Sequence, residues 1–405
     1  MSEDKKKVPK LRFPEFEGEW EEKPLKELCS VYDGTHRTPN YTKKGVMFLS
    51  VEDIKTLHSE KYISYSDFEK EFRVFPQRGD ILMTRIGDIG TANVVESDEP
   101  IAYYVSLALI KNGQIDSYFL KGSIATETVQ RDIWKRTLHI AFPQKINMNE
   151  VANILISFPK CAKEQKAIGM FLRLIEQYIE LQQKKLDDLK KLRESLLQKV
   201  FPQSRRQVPQ VRFPEFKGEW KYCKLRDIAE IVGGGTPNTK VKKYWDGDID
   251  WYTPTEIKGK RYVNNSTKKI TRNGLEKSSA KLLPGGRTIL FTSRASVGDM
   301  AILRHSGATN QGFQSLVLRD GYDPYFVYAS GIKIKRFAVR NAAGSTFPEI
   351  SAKQLGNMDY QVPTYEEQQS IGGLMRKIDD LITAHQNKLN HFEKLKKGLL
   401  QQMFV

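Results

Sequence analysis

The stretch EQKAIGMFLRLIEQYIELQQKKLDDLKKLRESLLQKVF, from Glu164 to Phe201, aligns without a gap on EQQSIGGLMRKIDDLITAHQNKLNHFEKLKKGLLQQMF, from Glu367 to Phe404, with 16 of 38 positions identical. In the first copy Ile168, Leu172, Ile175, Ile179, Leu186, Leu189, Leu192, Leu196 and Val200 step mainly by three and four. Ile371, Met375, Ile378, Ile382, Leu389, Phe392, Leu395, Leu399 and Met403 repeat those steps. That period predicts two helices. Neither contains proline, and Pro159 and Pro363 stand just ahead, where a helix follows an extended residue. At about 1.5 Å per residue each spans roughly 57 Å, more than the usual globular helix. An apolar stripe of that length must be covered, and the obvious cover is the equivalent stripe of the other copy. Ile175, Ile179, Leu186, Leu189 and Leu196 would then form the helix-pair interface with Ile378, Ile382, Leu389, Phe392 and Leu399. The alternative is that each helix packs only on its own domain.

Working outward, the repeat proves to be the whole chain. LRFPEFEGEW at 11–20 recurs as VRFPEFKGEW at 211–220. VMFLSVEDI at 46–54 answers IDWYTPTEI at 249–257, and GDILMTRIGDIG at 79–90 answers GGRTILFTSRASVG at 285–298, each an apolar strand running into a Ser/Thr-Arg turn. Asp116, Tyr118 and Phe119 match Asp323, Tyr325 and Phe326, and Phe142 and Pro143 match Phe347 and Pro348. The expected divisions are a repeat segment at 1–20, a first inner domain at 21–158, a central long helix at 159–201, a linker and second repeat segment at 202–220, a second inner domain at 221–362, and a closing long helix at 363–405.

Connectivity sets the direction of the helices. The second copy begins as soon as the first helix ends, so the second inner domain sits at that helix's far end and the second helix runs back. An antiparallel pair with pseudo-twofold symmetry follows. Each repeated phrase is then expected beside the end of a long helix, with Phe13, Phe16 and Trp20, or Phe213, Phe216 and Trp220, as apolar anchors.

A chain of 405 residues, 39% of them hydrophobic, can bury more than one core. The 65 Lys and Arg against 49 Asp and Glu leave a charge of +16, which favours a polyanionic partner, most often nucleic acid. No apolar run reaches about 18 residues and no signal peptide is evident, so the expectation is a cytoplasmic protein with no membrane partner. Cys29, Cys161 and Cys223 are odd in number and lack CxxC spacing, which reads as reduced thiols. No histidine pair falls at metal-ligand spacing, and no metal site is expected.

The inner regions mix β-like runs with helical candidates near 116–136 and 323–340, an α+β reading. Polar loops interrupt them: GTHRTPNYTKK at 34–44 and GGGTPNTKVKKYW at 233–245. Arg suits guanine, Asn and Gln suit adenine, and Lys and Thr suit phosphate. The DNA-contact candidates are therefore Arg37, Thr38, Asn40, Lys43, Lys44 and Arg85 in the first domain, and Thr236, Asn238, Lys240, Lys243, Arg294, Asn310 and Gln311 in the second. Each competes with a plain reading as a solvated loop residue. The glycines at 233–235 lack the Gly-Lys-Ser/Thr of a phosphate-binding loop, DPYF at 323–326 is one proline short of an amino-methylating motif, and Asp250, Glu256 and Lys258 only loosely resemble a nuclease spacing. No catalytic residue is assigned.

The repeated RFPEF and GEW, GGTP at 234–237 followed by DIDWYTP, TSRASVGDMAI with ATNQGFQSLV, GSTFPEIS at 344–351 and VPTYEEQQSIG together resemble the specificity subunit of type I restriction-modification enzymes. The first copy is looser: DGTHRTP stands for GGGTP, and YVSLALI lacks the Asn-Gln pair. The resemblance implies two target recognition domains, each reading half of a split, asymmetric double-stranded DNA site, with the helices fixing the gap. Half-sites one DNA turn apart lie about 34 Å centre to centre, within reach of such helices. It further implies two DNA methyltransferase subunits carrying S-adenosylmethionine and methylating adenine, and restriction/translocase subunits using ATP and Mg. No cofactor is expected on this chain, which would be non-catalytic. The alternative is a stand-alone sequence-specific DNA-binding regulator.

Overall fold

The computed structural model describes residues 7–111, 113–203, 206–294, 296–344 and 348–405. Phe347, matched above to Phe142, and Ala295 of the second Ser/Thr-Arg turn lie outside them. The chain divides into two units, Met1–Lys184 with Gln386–Val405, and Lys185–His385.

The strands of the first unit are β1 (Glu21–Pro24), β2 (Val31–Asp33), β3 (Val46–Leu49), β4 (Tyr62–Ile63), β5 (Ile81–Ile86), β6 (Asp88–Val94), β7 (Ile101–Tyr103), β8 (Leu107–Ile110) and β9 (Leu155–Phe158). They form an antiparallel sheet in the order β2-β8-β5-β6, a small sheet β4-β3-β7 with β3 and β7 parallel, and the pair β1-β9. In the second unit β10 (Lys221–Lys224), β11 (Ala229–Gly233), β12 (Trp245–Tyr252), β13 (Tyr262–Val263), β14 (Lys268–Ile270), β15 (Thr288–Phe291), β16 (Met300–Leu303), β17 (Gly307–Thr309), β18 (Gln314–Leu318) and β19 (Asp359–Val362) repeat that plan. The orders are β11-β18-β15-β16-β13, β14-β12-β17 and β10-β19, so β13 is an added edge strand. β8 and β15 read LALI and TILF and are buried throughout, as strands covered on both faces should be.

The long helices are α1 (Ala162–Lys199) and α2 (Tyr365–Gln402), inside the expected 159–201 and 363–405 and two residues N-terminal of the aligned 164–201 and 367–404 at each end. In the first unit the start of α1 and the end of α2 share one core, where Ile168 and Leu172 join Leu399, Met403 and Phe404. In the second, Val200 and Phe201 after α1 join Ile371, Met375 and Ile378 from the start of α2. Within each unit the two helices are therefore antiparallel, as connectivity required.

The repeated phrase fastens these helix ends. Leu11 N donates to Gln402 O at 2.8 Å, and Val211 N to Lys199 O at 3.0 Å. Trp20 is buried against Phe119 and Phe404, and Trp220 against Phe326 and Phe201. The phrase also holds a helix start. The Arg12 guanidinium donates from Nε and Nη2 to the two oxygens of Glu164, each at 2.8 Å, while the Trp20 indole adds a bond of 3.3 Å. Arg212, Glu367 and Trp220 repeat the arrangement at 2.8, 2.7 and 3.3 Å.

The seam along the helices corrects the expected stripe at one position in each copy. Leu192 and Leu395 are exposed at 48% and 39%. Buried and half-buried residues instead follow a strict 4,3 alternation: 168, 172, 175, 179, 182, 186, 189, 193, 196 and 200, then 371, 375, 378, 382, 385, 389, 392, 396, 399 and 403. All ten expected interface residues lie on it, but so do the polar residues Gln182, Arg193, His385 and Lys396. Arg193 pairs with Asp379 and Lys396 pairs with Glu176, the same pair in each unit, their aliphatic stems taking the place expected of a leucine.

This duplicated pair makes one acid-stability prediction. Burial pushes the Glu176 carboxyl up, but Lys121 at 2.7 Å and Lys396 at 2.6 Å outweigh it and hold the group below the usual glutamate range. A carboxyl depressed in the fold contributes stability that is complete above its unfolded value, near 4.5, and is lost as pH falls through the lower folded value. Glu176→Gln should flatten the fall in melting temperature across that window, and a slope unchanged from the parent would refute the assignment.

Candidate nucleic-acid interface

Strand direction gathers the candidate residues at one end of the main sheet in each unit. In the first, β2 ends at Asp33, β5 ends at Ile86 and β8 starts at Leu107, side by side through the pairings of β8 with both neighbours. The loop after Asp33 is pressed onto the chain before β8: Thr35 N donates to Tyr103 O at 3.2 Å, and Val105 N to Thr35 O at 2.9 Å. Glycine is required at position 34, because a Cβ there would lie 2.4 Å from Tyr104 O. Beside this loop is a cleft of about 550 Å³ lined by Asp33, His36, Arg37, Lys70, Glu71 and Arg73, among others. His36 Nε2 lies 3.0 Å from Asp33 Oδ2, and Thr35 donates to Glu71 at 3.0 Å. Arg37, Thr38, Asn40, Lys43 and Lys44 are all exposed along the loop.

Arg85 is placed differently from the reading of it as a surface contact. It is buried, with Nη2 3.1 Å from Asp33 Oδ2 and Nε 3.2 Å from Met148 Sδ. Its guanidinium holds the carboxylate from which the basic loop departs, so it positions the loop from behind.

The second unit builds the same end with other side chains. Gly235 N donates to Thr309 O at 2.8 Å, and a Cβ on Gly234 would lie 1.9 Å from Asn310 O. Two tryptophans tie down the following loop: Trp251 Nε1 donates to Gly235 O at 2.9 Å and Trp245 Nε1 to Asn238 O at 3.2 Å. Thr236, Asn238, Lys240, Lys243, Arg294 and Gln311 are exposed, and Asn310 is half-buried with its Oδ1 accepting from Gly312 N at 2.9 Å. Thr236 Oγ1 donates to Gln311 Oε1, which joins two candidates in one surface.

Backbone pairing fixes which residues correspond. Ile146 N bonds to Arg85 O at 3.0 Å, and Ile350 N to Ser293 O at 3.0 Å. Ile86 bridges Lys145, and Arg294 bridges Glu349. Arg85 is thus the counterpart of Ser293, and Arg294 that of Ile86, so the two Ser/Thr-Arg turns align one residue out of step. Tyr104 and Val105 stand where Asn310 and Gln311 do, since Tyr104 N bonds to Leu49 O and Asn310 N to Tyr252 O. Four polar atoms in the second unit, Tyr252 OH, Ser293 Oγ, Gln314 Oε1 and Ser315 Oγ, are buried without a hydrogen-bond partner.

The residues with nuclease-like spacing serve the fold. Asp250 accepts from Ser266 N and Oγ at 3.0 Å each and from Lys269 at 3.1 Å, while Glu256 accepts from Thr253 N and Thr267 N at 2.8 and 2.6 Å. Burial raises both carboxyls, but these donors outweigh it and hold them below the usual range. Asp323 of DPYF caps a helix by accepting from Phe326 N at 2.7 Å. Burial pushes the thiols of Cys29 and Cys223 up to about 11, far from reactivity. Sequence reading missed His36, Lys70 and Arg73. His36 lay in the quoted loop, but Lys70 and Arg73 reach the cleft from a helix at 65–71 and the chain after it, which no local pattern links to Asp33.

Residues 17–191 and 217–394 match the family model described as the type I restriction modification DNA specificity domain. The MjaIX type I restriction enzyme specificity subunit of Methanocaldococcus jannaschii is 35% identical over 191 residues, which span 46% of this chain and 44% of that protein. The putative MjaX specificity subunit of the same organism is 24% identical over 419 residues, 98% of this chain and 95% of the relative. Among solved structures, the S subunit of a type I restriction-modification system from M. genitalium superposes with a TM-score of 0.66 at 15% identity, covering 98% of this chain and 99% of that one. That likeness bears on the fold. No helix among the described residues is long and apolar enough to cross a membrane.

Proposed function

The chain belongs to the family of type I restriction modification DNA specificity domains, and from that membership we propose that each unit reads one half of a split, asymmetric DNA site. The helices set the gap between the halves. The chain recruits two adenine-methylating subunits, which carry S-adenosylmethionine, and restriction subunits, which use ATP and Mg; it chooses the address and performs no chemistry. The observation that carries this reading is one scaffold built twice with different side chains at the same sheet end. His36, Arg37 and Tyr104 occupy that end in the first unit, and Thr236, Arg294 and Gln311 in the second. A common frame with unlike contact residues fits one operation on two unlike sequences.

The test is strand-resolved mapping of N6-methyladenine in methylation-free cells expressing the chain with its neighbouring methyltransferase gene. A split motif methylated in both halves is expected. With partner activity verified, no new motif would instead favour a regulator that binds DNA alone. Gly234→Ala should relax base preference in one half only, because its Cβ must displace the Asn310 carbonyl and with it the Thr236–Gln311 contact. Preference unchanged in both halves would remove that end of the sheet from the interface.

A further inference from the structure

The most exposed large apolar side chains of the described residues sit together on one tip. Ile140 is 99% exposed and Phe142 104%, with Trp134 at 65% and Leu138 at 40% close by in sequence. The tip is held at its base. Leu138 N donates to Lys145 O at 2.8 Å, Lys145 also bridges Ile86, and Gly87 N donates to Gln144 O at 2.9 Å. On the other side the His139 ring lies 4.6 Å from the Trp134 ring, and its Nε2 is 2.9 Å from Trp134 O. The stem is therefore fixed to the end of β5 and to the end of the helix at 127–136, while two large hydrocarbon groups stand in water between them.

Two such side chains held side by side in water form an apolar patch of the kind that marks an interaction site. Three observations identify its chemistry. The tip springs from the same sheet end as the basic loop at 34–44, because it is bonded to Arg85, Ile86 and Gly87. Lys135 and Lys145 flank it, both exposed, while Asp88 and Glu127 line the cleft on one side of it together with Trp134, His139 and Gln144. The chain as a whole carries +16. An apolar tip between exposed lysines suits a partner with a charged rim and stackable interior, and that is duplex DNA. Isoleucine and phenylalanine are among the side chains that enter a base step and partly unstack it, while lysines on either side hold the phosphates.

We propose that Ile140 and Phe142 form a wedge that opens a base step in or beside the half-site read by the first unit. This rests on the reading of the chain as a DNA specificity subunit. The wedge touches no base edge, so it supplies deformation of the duplex and leaves the choice of bases to the loops.

The experiment uses the chain in complex with its methyltransferase subunits, on duplexes carrying the motif that the parent complex methylates, with 2-aminopurine moved through that motif and its flanks. The parent should raise fluorescence severalfold at a step other than the methylated adenines. The Ile140→Ala/Phe142→Ala variant should lose that signal and methylate about tenfold more slowly, with base preference unchanged in both halves. Phe142→Leu alone should retain most of the signal, since apolar bulk is preserved. Undiminished unstacking in the double variant would overturn the wedge while the specificity reading stood. Failure of the double variant to co-purify with the methyltransferase would overturn it in favour of a protein-docking tip. Absence of any split motif with the parent would overturn the reading beneath it as well.

Discussion

Arg212→Ala is expected to cost the second unit roughly 3–5 kcal/mol, the range found when one member of a buried ion pair is removed. Glu367 is buried, and its carboxylate is bound on both oxygens by the Arg212 fork, with the Trp220 indole as the one further side-chain donor among the described residues. Without the guanidinium, the buried carboxylate keeps the Trp220 indole alone among the described side chains. The substitution also frees the Gly218 and Lys217 carbonyls, to which Arg212 donates, and so releases the turn that sets Trp220 in the core. Arg212→Met with Glu367→Met should lose far less, since replacing both members removes the desolvated charge together with its partner. Denaturant titration followed by tryptophan fluorescence would read both variants. Unfolding of the units need not be a single transition, so the change should be sought in the phase that reports Trp220. A loss under about 1 kcal/mol for Arg212→Ala, the range of an exposed pair, would show that the clamp contributes no more than a surface contact.

The clamp also marks where sequence reading stopped. The duplication, the α+β class, the two long helices and their antiparallel course were all legible, because a 38-residue gapless repeat and its connectivity leave few alternatives. The repeated phrase was read through its aromatics, and Phe13, Phe213, Trp20 and Trp220 do pack on the two cores. Arg12 and Arg212 stood in the same phrase, and Glu164 and Glu367 opened both helical copies. Charges retained in both copies beside apolar anchors were the available signal for a buried pair. On the seam, Leu192 and Leu395 satisfied a count of apolar residues, but a 3.5-residue repeat selects Arg193 and Lys396 one position later. Hydrophobicity outvoted period there, and the period was right. Arg85 looked like a surface arginine because nothing local reveals that Asp33, 52 residues earlier, waits at the end of the second strand over.

Arg294→Ala should slow methylation roughly five- to 140-fold at limiting complex and relax base preference in one half of the site only. Among the candidates in the second unit it is an exposed arginine, carried on backbone that bridges Glu349, beside Ser293, whose carbonyl binds Ile350. A guanidinium so presented can take guanine through two bonds, and such a contact is worth about 1–3 kcal/mol, which at about 1.4 kcal/mol per tenfold gives the stated range. Arg294→Lys separates the two ways an arginine can serve. A lysine keeps the charge but not the planar fork, so a base contact should remain impaired while a phosphate contact should recover with its salt dependence. Arg85→Ala is the informative contrast: its guanidinium is buried on Asp33, so it should lower the melting temperature of the first unit as well as blur the first half-site. If Arg294→Ala left rate and preference unchanged in both halves, the recognition surface of the second unit would have to be sought away from this end of its sheet. If it slowed methylation with preference intact and Arg294→Lys restored the rate, Arg294 would be a phosphate clamp, and base reading would pass to Thr236, Asn310 and Gln311 beside it.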